Sequence, residues 1–257
     1  MKYTLIISKI ILSVAIAIAF LFSGCSGGKK SAEIDPPQVI ITNPDATGPL
    51  VSVSLTKGES INHPLMAVWL EDYSGKYIET LFVAQSIGRG TFEHANQSEG
   101  IWLPGPVRRP AALPYWGHKR GIQAADGLYL PTPEEPVADA ITGPTPGGSF
   151  ILNARSTSQL NSPFRVVLEI NQSWDWNEYW TNTKYPDDDQ YKTSSQPAVV
   201  YEAIVDPSAL QPEYEMIAVG HSHYSGKDGG LYPELGTLTT ALKIVDKITV
   251  KVTFPKN

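Results

Sequence analysis

The chain has 257 residues, with 20 Lys+Arg against 26 Asp+Glu, 42% hydrophobic residues and 21 each of Gly and Pro. That composition suits one β-rich globular domain or two small ones and argues against intrinsic disorder, while the net charge of −6 and the lack of a clustered Lys/Arg stripe remove the footprint needed for nucleic acid. A single Cys excludes an internal disulfide and any Cys-rich metal or iron–sulfur centre, so a metal would need His and carboxylate ligands.

Lys2 and Lys9 mark a basic start, and Ile10 to Phe22 form an apolar run too short for a membrane span but suited to a signal-peptide core. Phe22-Ser23-Gly24-Cys25 closes it and resembles a bacterial lipobox, with Phe22 where Leu is usual and Leu21 beside it. The resemblance implies cleavage before Cys25, diacylglycerol on its thiol and anchorage to membrane lipid in the bacterial cell envelope, facing the periplasm or the cell surface. Losing residues 1–24 removes two lysines and no acids, leaving 233 residues with a formal charge of −8. Residues 25–48, which include Ser26-Gly27-Gly28-Lys29-Lys30-Ser31, read as the flexible tether of the lipidated chain.

Residues 49–257 read as one domain. Val51 to Leu55 alternates apolar with polar as a half-buried strand does. Leu65 to Leu70 and Lys76 to Ala84 form a predicted hairpin, turning through Glu71-Asp72-Tyr73-Ser74-Gly75. Gly100 to Gly148 is dense in Pro and Gly and is expected to be a long irregular insertion. Further strands are predicted at Phe164–Ile170, Val199–Val205, Met216–Val219 and Ile248–Phe254, and Thr239–Asp246 fits a short helix or a strand. Strands at this spacing, without βαβ alternation, point to an all-β, antiparallel, immunoglobulin-like β-sandwich.

Trp174-Asp175-Trp176-Asn177-Glu178-Tyr179-Trp180 is the most unusual stretch. Trp174, Trp176 and Trp180 have the chemistry of a platform that stacks on sugar rings while amides and acids bond hydroxyls. The competing and preferred reading continues the preceding strand, with the tryptophans closing the core. Asp187-Asp188-Asp189 lacks the spacing of an EF-hand loop. His221 and His223 would share one face if their strand continued, giving a candidate divalent-metal site completed by Asp228, His118 or His63; the alternative is a solvated loop between Gly220 and Gly226. There is no Gly-x-Ser-x-Gly elbow, His-Glu-x-x-His, P-loop or dinucleotide fingerprint, and lipidation would consume the only thiol, so a non-catalytic role is expected.

Three segments, in order, resemble the domain-of-unknown-function family 2271 of predicted periplasmic proteins. They are His63 to Leu81, similar to that family's first hairpin; Tyr115-Trp116-Gly117-His118-Lys119-Arg120-Gly121, similar to its aromatic and basic segment; and Asp139-Ala140-Ile141-Thr142-Gly143-Pro144-Thr145. The family has no established activity. Its setting implies an accessory role beside envelope redox proteins in flavin-linked electron transfer. The third segment also resembles a flavin-transferase acceptor motif, which implies FMN attached at Thr145, with Asp139, Thr142 and Gly143 forming the motif. Pro144 stands where Ala is usual and Pro146 follows. Read from the residues alone, Asp139 to Thr145 is a turn with Gly143 at positive φ, and that reading is preferred.

Overall fold

The computed structural model describes residues 36–98, 100–138 and 141–255; the signal peptide, Cys25, the first part of the tether and Asp139 lie outside them. Two sheets carry the fold. The strands are β1 (Gln38–Thr42), β2 (Leu50–Lys57), β3 (Leu65–Asp72), β4 (Tyr77–Ala84), β5 (Thr91–Ser98), β6 (Ile101–Pro106), β7 (Thr142–Gly143), β8 (Phe150–Arg155), β9 (Phe164–Asn171), β10 (Val199–Val205), β11 (Tyr214–Glu215), β12 (Ile217–His221) and β13 (Val245–Thr253). One sheet runs β1-β8-β2-β13-β11 and the other β12-β10-β9-β3-β4-β7, with β5 and β6 as a separate hairpin. The expected β-sandwich is therefore present. Most pairs are antiparallel, but β1 joins β8 and β7 joins β4 in parallel.

Alternation along the strands builds the main core. Val51, Val53 and Leu55 of β2, with Phe150 and Leu152 of β8, meet Val68 and Leu70 of β3 and Val166, Leu168 and Ile170 of β9. The β3–β4 hairpin turns as predicted: the Asp72 carboxylate accepts from the Ser74 hydroxyl (2.6 Å) and the Lys76 N–H (3.0 Å), and Gly75 takes φ +89°. Thr240–Lys243 is a 3-10 turn leading into β13, so the ambiguous stretch is helical first and strand after.

Two expectations need correction. Gln38–Thr42 falls in the segment read as tether, yet it pairs along its length with β8, because Val39-Ile40-Ile41 is a β-branched run that continues the sheet. The Pro/Gly-rich insertion is also not simply irregular. It starts in β6, contains α2 (Pro114–Arg120), which follows α1 (Gln85–Arg89) in the chain, and ends in β7. Pro114 starts α2 and Gly121, at φ +69°, ends it.

The insertion makes a second core. Trp69 of β3, Val83 of β4, Val167 of β9 and Val200 of β10 pack against Ala112, Leu113, Trp116, Leu130 and Val137. These strand residues alternate with those of the main core, so they lie on the other face of the six-stranded sheet. The Val137 N–H donates to Gly88 O at 2.8 Å, and Arg108 donates to Leu130 O at 2.7 Å, fixing the insertion along its length. Among the described residues no helix is long and apolar enough to cross a membrane. Truncating the fully buried Trp116 opens a cavity in this second core, so Trp116→Ala is expected to lower stability by about 3–5 kcal/mol, read as a fall in the urea midpoint.

Candidate functional site

The chain leaves β9 at Asn171 and turns at Trp174, whose φ of +58° is left-handed. For a bulky side chain this backbone is an outlier costing about 1–2 kcal/mol, held only where its surroundings enforce it. The enforcing bonds are visible. The N–H groups of Trp174 and Asp175 donate to the Thr193 and Ser194 carbonyls (3.1 and 3.0 Å) of α3 (Asp189–Ser194), and the Gln196 N–H returns to Asp175 O at 3.0 Å. Inward residues complete the clamp. Asp175 accepts from the Thr240 hydroxyl. Asn177 donates to Thr237 O (2.9 Å) and accepts from the N–H groups of Tyr179 and Trp180 (2.9 and 2.7 Å).

Between these inward residues, Trp174, Trp176 and Tyr179 point to water, 62%, 51% and 52% exposed. This corrects the reading that Trp174 and Trp176 close the core, because β9 ends at Asn171 and the left-handed turn at Trp174 takes the chain off the sheet. Trp180 is corrected in the other direction. It is 6% exposed, donates from Nε1 to Thr237 Oγ1 at 3.1 Å, and packs with Tyr191, Tyr224 and His221, so it supports the loop from below and is no part of an exposed platform.

Arg109 joins the insertion to this loop. Its guanidinium carbon lies 4.4 Å from the Phe92 ring centroid and 5.9 Å from that of Trp174, and Nη1 donates to Ser173 Oγ at 2.7 Å. The next residue, Pro110, lines an open cleft of about 230 Å³ together with His118, Tyr129, Gly226 and Lys227. Sequence reasoning missed Arg109. Its only signal was a basic pair in a Pro-rich stretch, which carries no indication of what it meets.

The histidines are placed differently from expectation. β12 ends at His221, so His223 is off the strand and the shared-face argument fails. His221 is buried and its Nδ1 donates to Ser222 O at 2.7 Å. His223 Nδ1 accepts from the Ser225 N–H at 3.1 Å, and its Nε2 stands 4.0 Å from Asp228. His118 Nδ1 donates to Pro114 O at 2.8 Å, its ring stacked on Tyr129, while His63 is exposed before β3. Among the described residues no group of three His, Cys, Asp or Glu is placed to hold a metal. Burial lowers the His223 pKa. Asp188 caps α3, accepting from the Tyr191 N–H at 3.0 Å, and pairs with Lys227 at 3.3 Å.

Thr142 and Gly143 form β7 against Val83 and Ala84, so this part of the motif is an edge strand and not a turn with Gly143 at positive φ. Thr145 follows, half-buried between exposed Pro144 and buried Pro146.

The two other segments of the resemblance meet in the second core. Glu71 is almost wholly buried, accepts from Trp69 Nε1 (2.8 Å) and pairs with Lys119 Nζ (3.2 Å), which also donates to Gly75 O (2.6 Å). Trp116 Nε1 donates to Thr80 Oγ1 at 2.9 Å. Glu169, fully buried on β9, accepts from the N–H groups of Trp116 (2.8 Å) and Tyr115 (3.2 Å), capping α2 from a distant strand. Burial outweighs these bonds and pushes its carboxyl up to about 8. These groups fix the insertion; none of them faces an open surface ligand site.

No protein-family model matches the chain, and neither does any curated protein or solved structure.

Glu169 makes stability depend on pH. Unfolded, its carboxyl ionises near 4.5; folded, it keeps its proton to about 8, so the native state binds more protons across that window. Its contribution is full below about 4.5 and is lost as pH rises through about 8, by up to about 1.4 kcal/mol per pH unit. The melting temperature of the wild type relative to Glu169→Gln is expected to fall steadily from pH 5 to pH 8.5; a constant difference would contradict this assignment.

Proposed function

We propose that the protein is a lipid-anchored, non-catalytic module of the bacterial cell envelope that binds carbohydrate on the face formed by Trp174 and Trp176. The anchor is supported by the apolar run ending at Cys25 and the non-catalytic role by the missing catalytic motifs. One observation carries the binding reading: two indoles stand exposed on a loop whose inward residues are all tied down, one of them on strained backbone. A large apolar side chain held in water by a rigid frame, against both burial and backbone preference, is the arrangement expected of a ligand contact. Sugar rings fit it because their C–H faces stack on indoles and their hydroxyls bond neighbouring polar groups. Glu178 and the exposed Tyr179 are polar neighbours of that kind.

Affinity electrophoresis and tryptophan fluorescence against a panel of plant, algal and animal polysaccharides test the reading. At least one polysaccharide is expected to retard the mature protein, and Trp174→Ala and Trp176→Ala are each expected to weaken that binding tenfold or more with melting temperatures within a few degrees of wild type. Trp180→Ala is expected to do the reverse of a surface change and destabilise the fold by about 3–5 kcal/mol. Binding that survives loss of both exposed indoles would overturn the proposal.

A further inference from the structure

We propose that the bound glycan is acidic, with a carboxylate or sulfate received by Arg109 beside Trp174. The inference rests on the carbohydrate reading and adds the charge of the ligand.

Its support is the state of the Arg109 guanidinium. The group is half-buried between Phe92 and Trp174, and its Nη1 is committed to Ser173. Among the described residues it has no carboxylate partner, and Nε and Nη2 have neither a hydrogen bond within the protein nor burial that seals them from water. Arg108 and Arg165 do have acid partners, Asp126 and Glu202, both at 2.8 Å; Arg120 resembles Arg109 in resting on an aromatic ring, that of Trp116 at 4.8 Å, but it lies away from the exposed indoles in the second core. Of the acids around the aromatic loop, Asp175 is bonded to Thr240 and Asp188 to Lys227, while Glu178 is exposed to water. Desolvation alone lowers the Arg109 pKa, with no acid close enough to raise it.

A guanidinium partly withdrawn from water without a counter-ion loses some of its solvation, and a nearby source of negative charge offsets that loss. Two aromatic rings supply part of it through their π faces. The open Nε and Nη2 edge is the fork that receives two oxygens of a carboxylate or sulfate side by side. Because the guanidinium lies beside the Trp174 ring, a sugar stacked on the exposed indole brings an acidic substituent within reach of that edge. In a protein with a formal charge of −6, attraction of an acidic polymer must come from such a local site and not from the overall field.

The experiment compares three sets of polysaccharides on the mature protein by affinity electrophoresis: polygalacturonate and alginate for carboxylates, chondroitin sulfate and carrageenan for sulfates, laminarin, xylan and pullulan as neutral polymers. The wild type is expected to bind at least one acidic polymer tenfold or more tightly than any neutral one, with binding weakened by 0.5 M NaCl. Which acidic set responds tells carboxylate from sulfate. Arg109→Gln is expected to reduce acidic binding to the neutral level, whereas Arg165→Gln leaves it unchanged. Arg109→Lys keeps the charge and stem but loses the fork, and should retain only part of the preference, which keeps the test decisive if Arg109→Gln folds poorly. Binding confined to neutral polymers, or an acidic preference untouched in both Arg109 variants, would overturn this inference while leaving the carbohydrate reading in place. Retardation by none of the polymers would remove both.

Discussion

Trp69, Val83, Val167 and Val200 point away from the space between the two sheets, and uncovered they would put a continuous apolar strip in water. Covering that strip is the task around which the rest of the molecule is arranged. The cover is the Pro/Gly-rich insertion, which brings Leu113, Trp116 and Leu130 down onto the sheet. An apolar cover alone would leave the first N–H groups of α2 unsatisfied, and these are met by Glu169 from the sheet beneath. Glu71 and Lys119 repeat the device at the other end of the same helix. Each buried carboxyl group thus trades solvation for a bond that fixes the position of the insertion, which is why apolar packing and polar pairing occur together here.

The same arrangement positions the exposed indoles of the proposed carbohydrate face. Arg109 and Pro110 are part of the descent from β6 to α2, so the path that covers the sheet also sets the guanidinium against Phe92 and Trp174. From the other side, β9 delivers the chain to Ser173, and α3 with the Thr237–Thr240 segment supplies the hydrogen-bond partners that hold it. Trp180 then ties the loop to the main core through Tyr191 and Tyr224. Exposure and support are divided between neighbouring residues of one stretch of chain, some facing out and some facing in.

β2, β3, β4, β9, β10, β12 and β13 were legible in the sequence, and so was the β3–β4 turn, because its Asp and Gly act locally, whereas β1 and β8 were not read although one carries a β-branched run and the other alternates. The second core was not read, although β3 contained its signal. Leu65-Met66-Ala67-Val68-Trp69-Leu70 has no polar alternation, the pattern of a strand buried on both faces, and only a third layer accounts for it in an antiparallel sheet. The direction of the tryptophans was beyond reach for a different reason. It depends on one backbone angle at Trp174, set by hydrogen bonds to residues about twenty positions later, and no periodicity anticipates it. Arg109 is a similar case, since its partners Phe92 and Ser173 come from opposite directions along the chain.

The left-handed backbone at position 174 sets two demands against each other. Glycine is the residue that relaxes such a conformation, yet glycine has no ring to offer. A lineage selected only for heat tolerance would drift toward it, and one selected for adhesion would keep the indole and bear the strain.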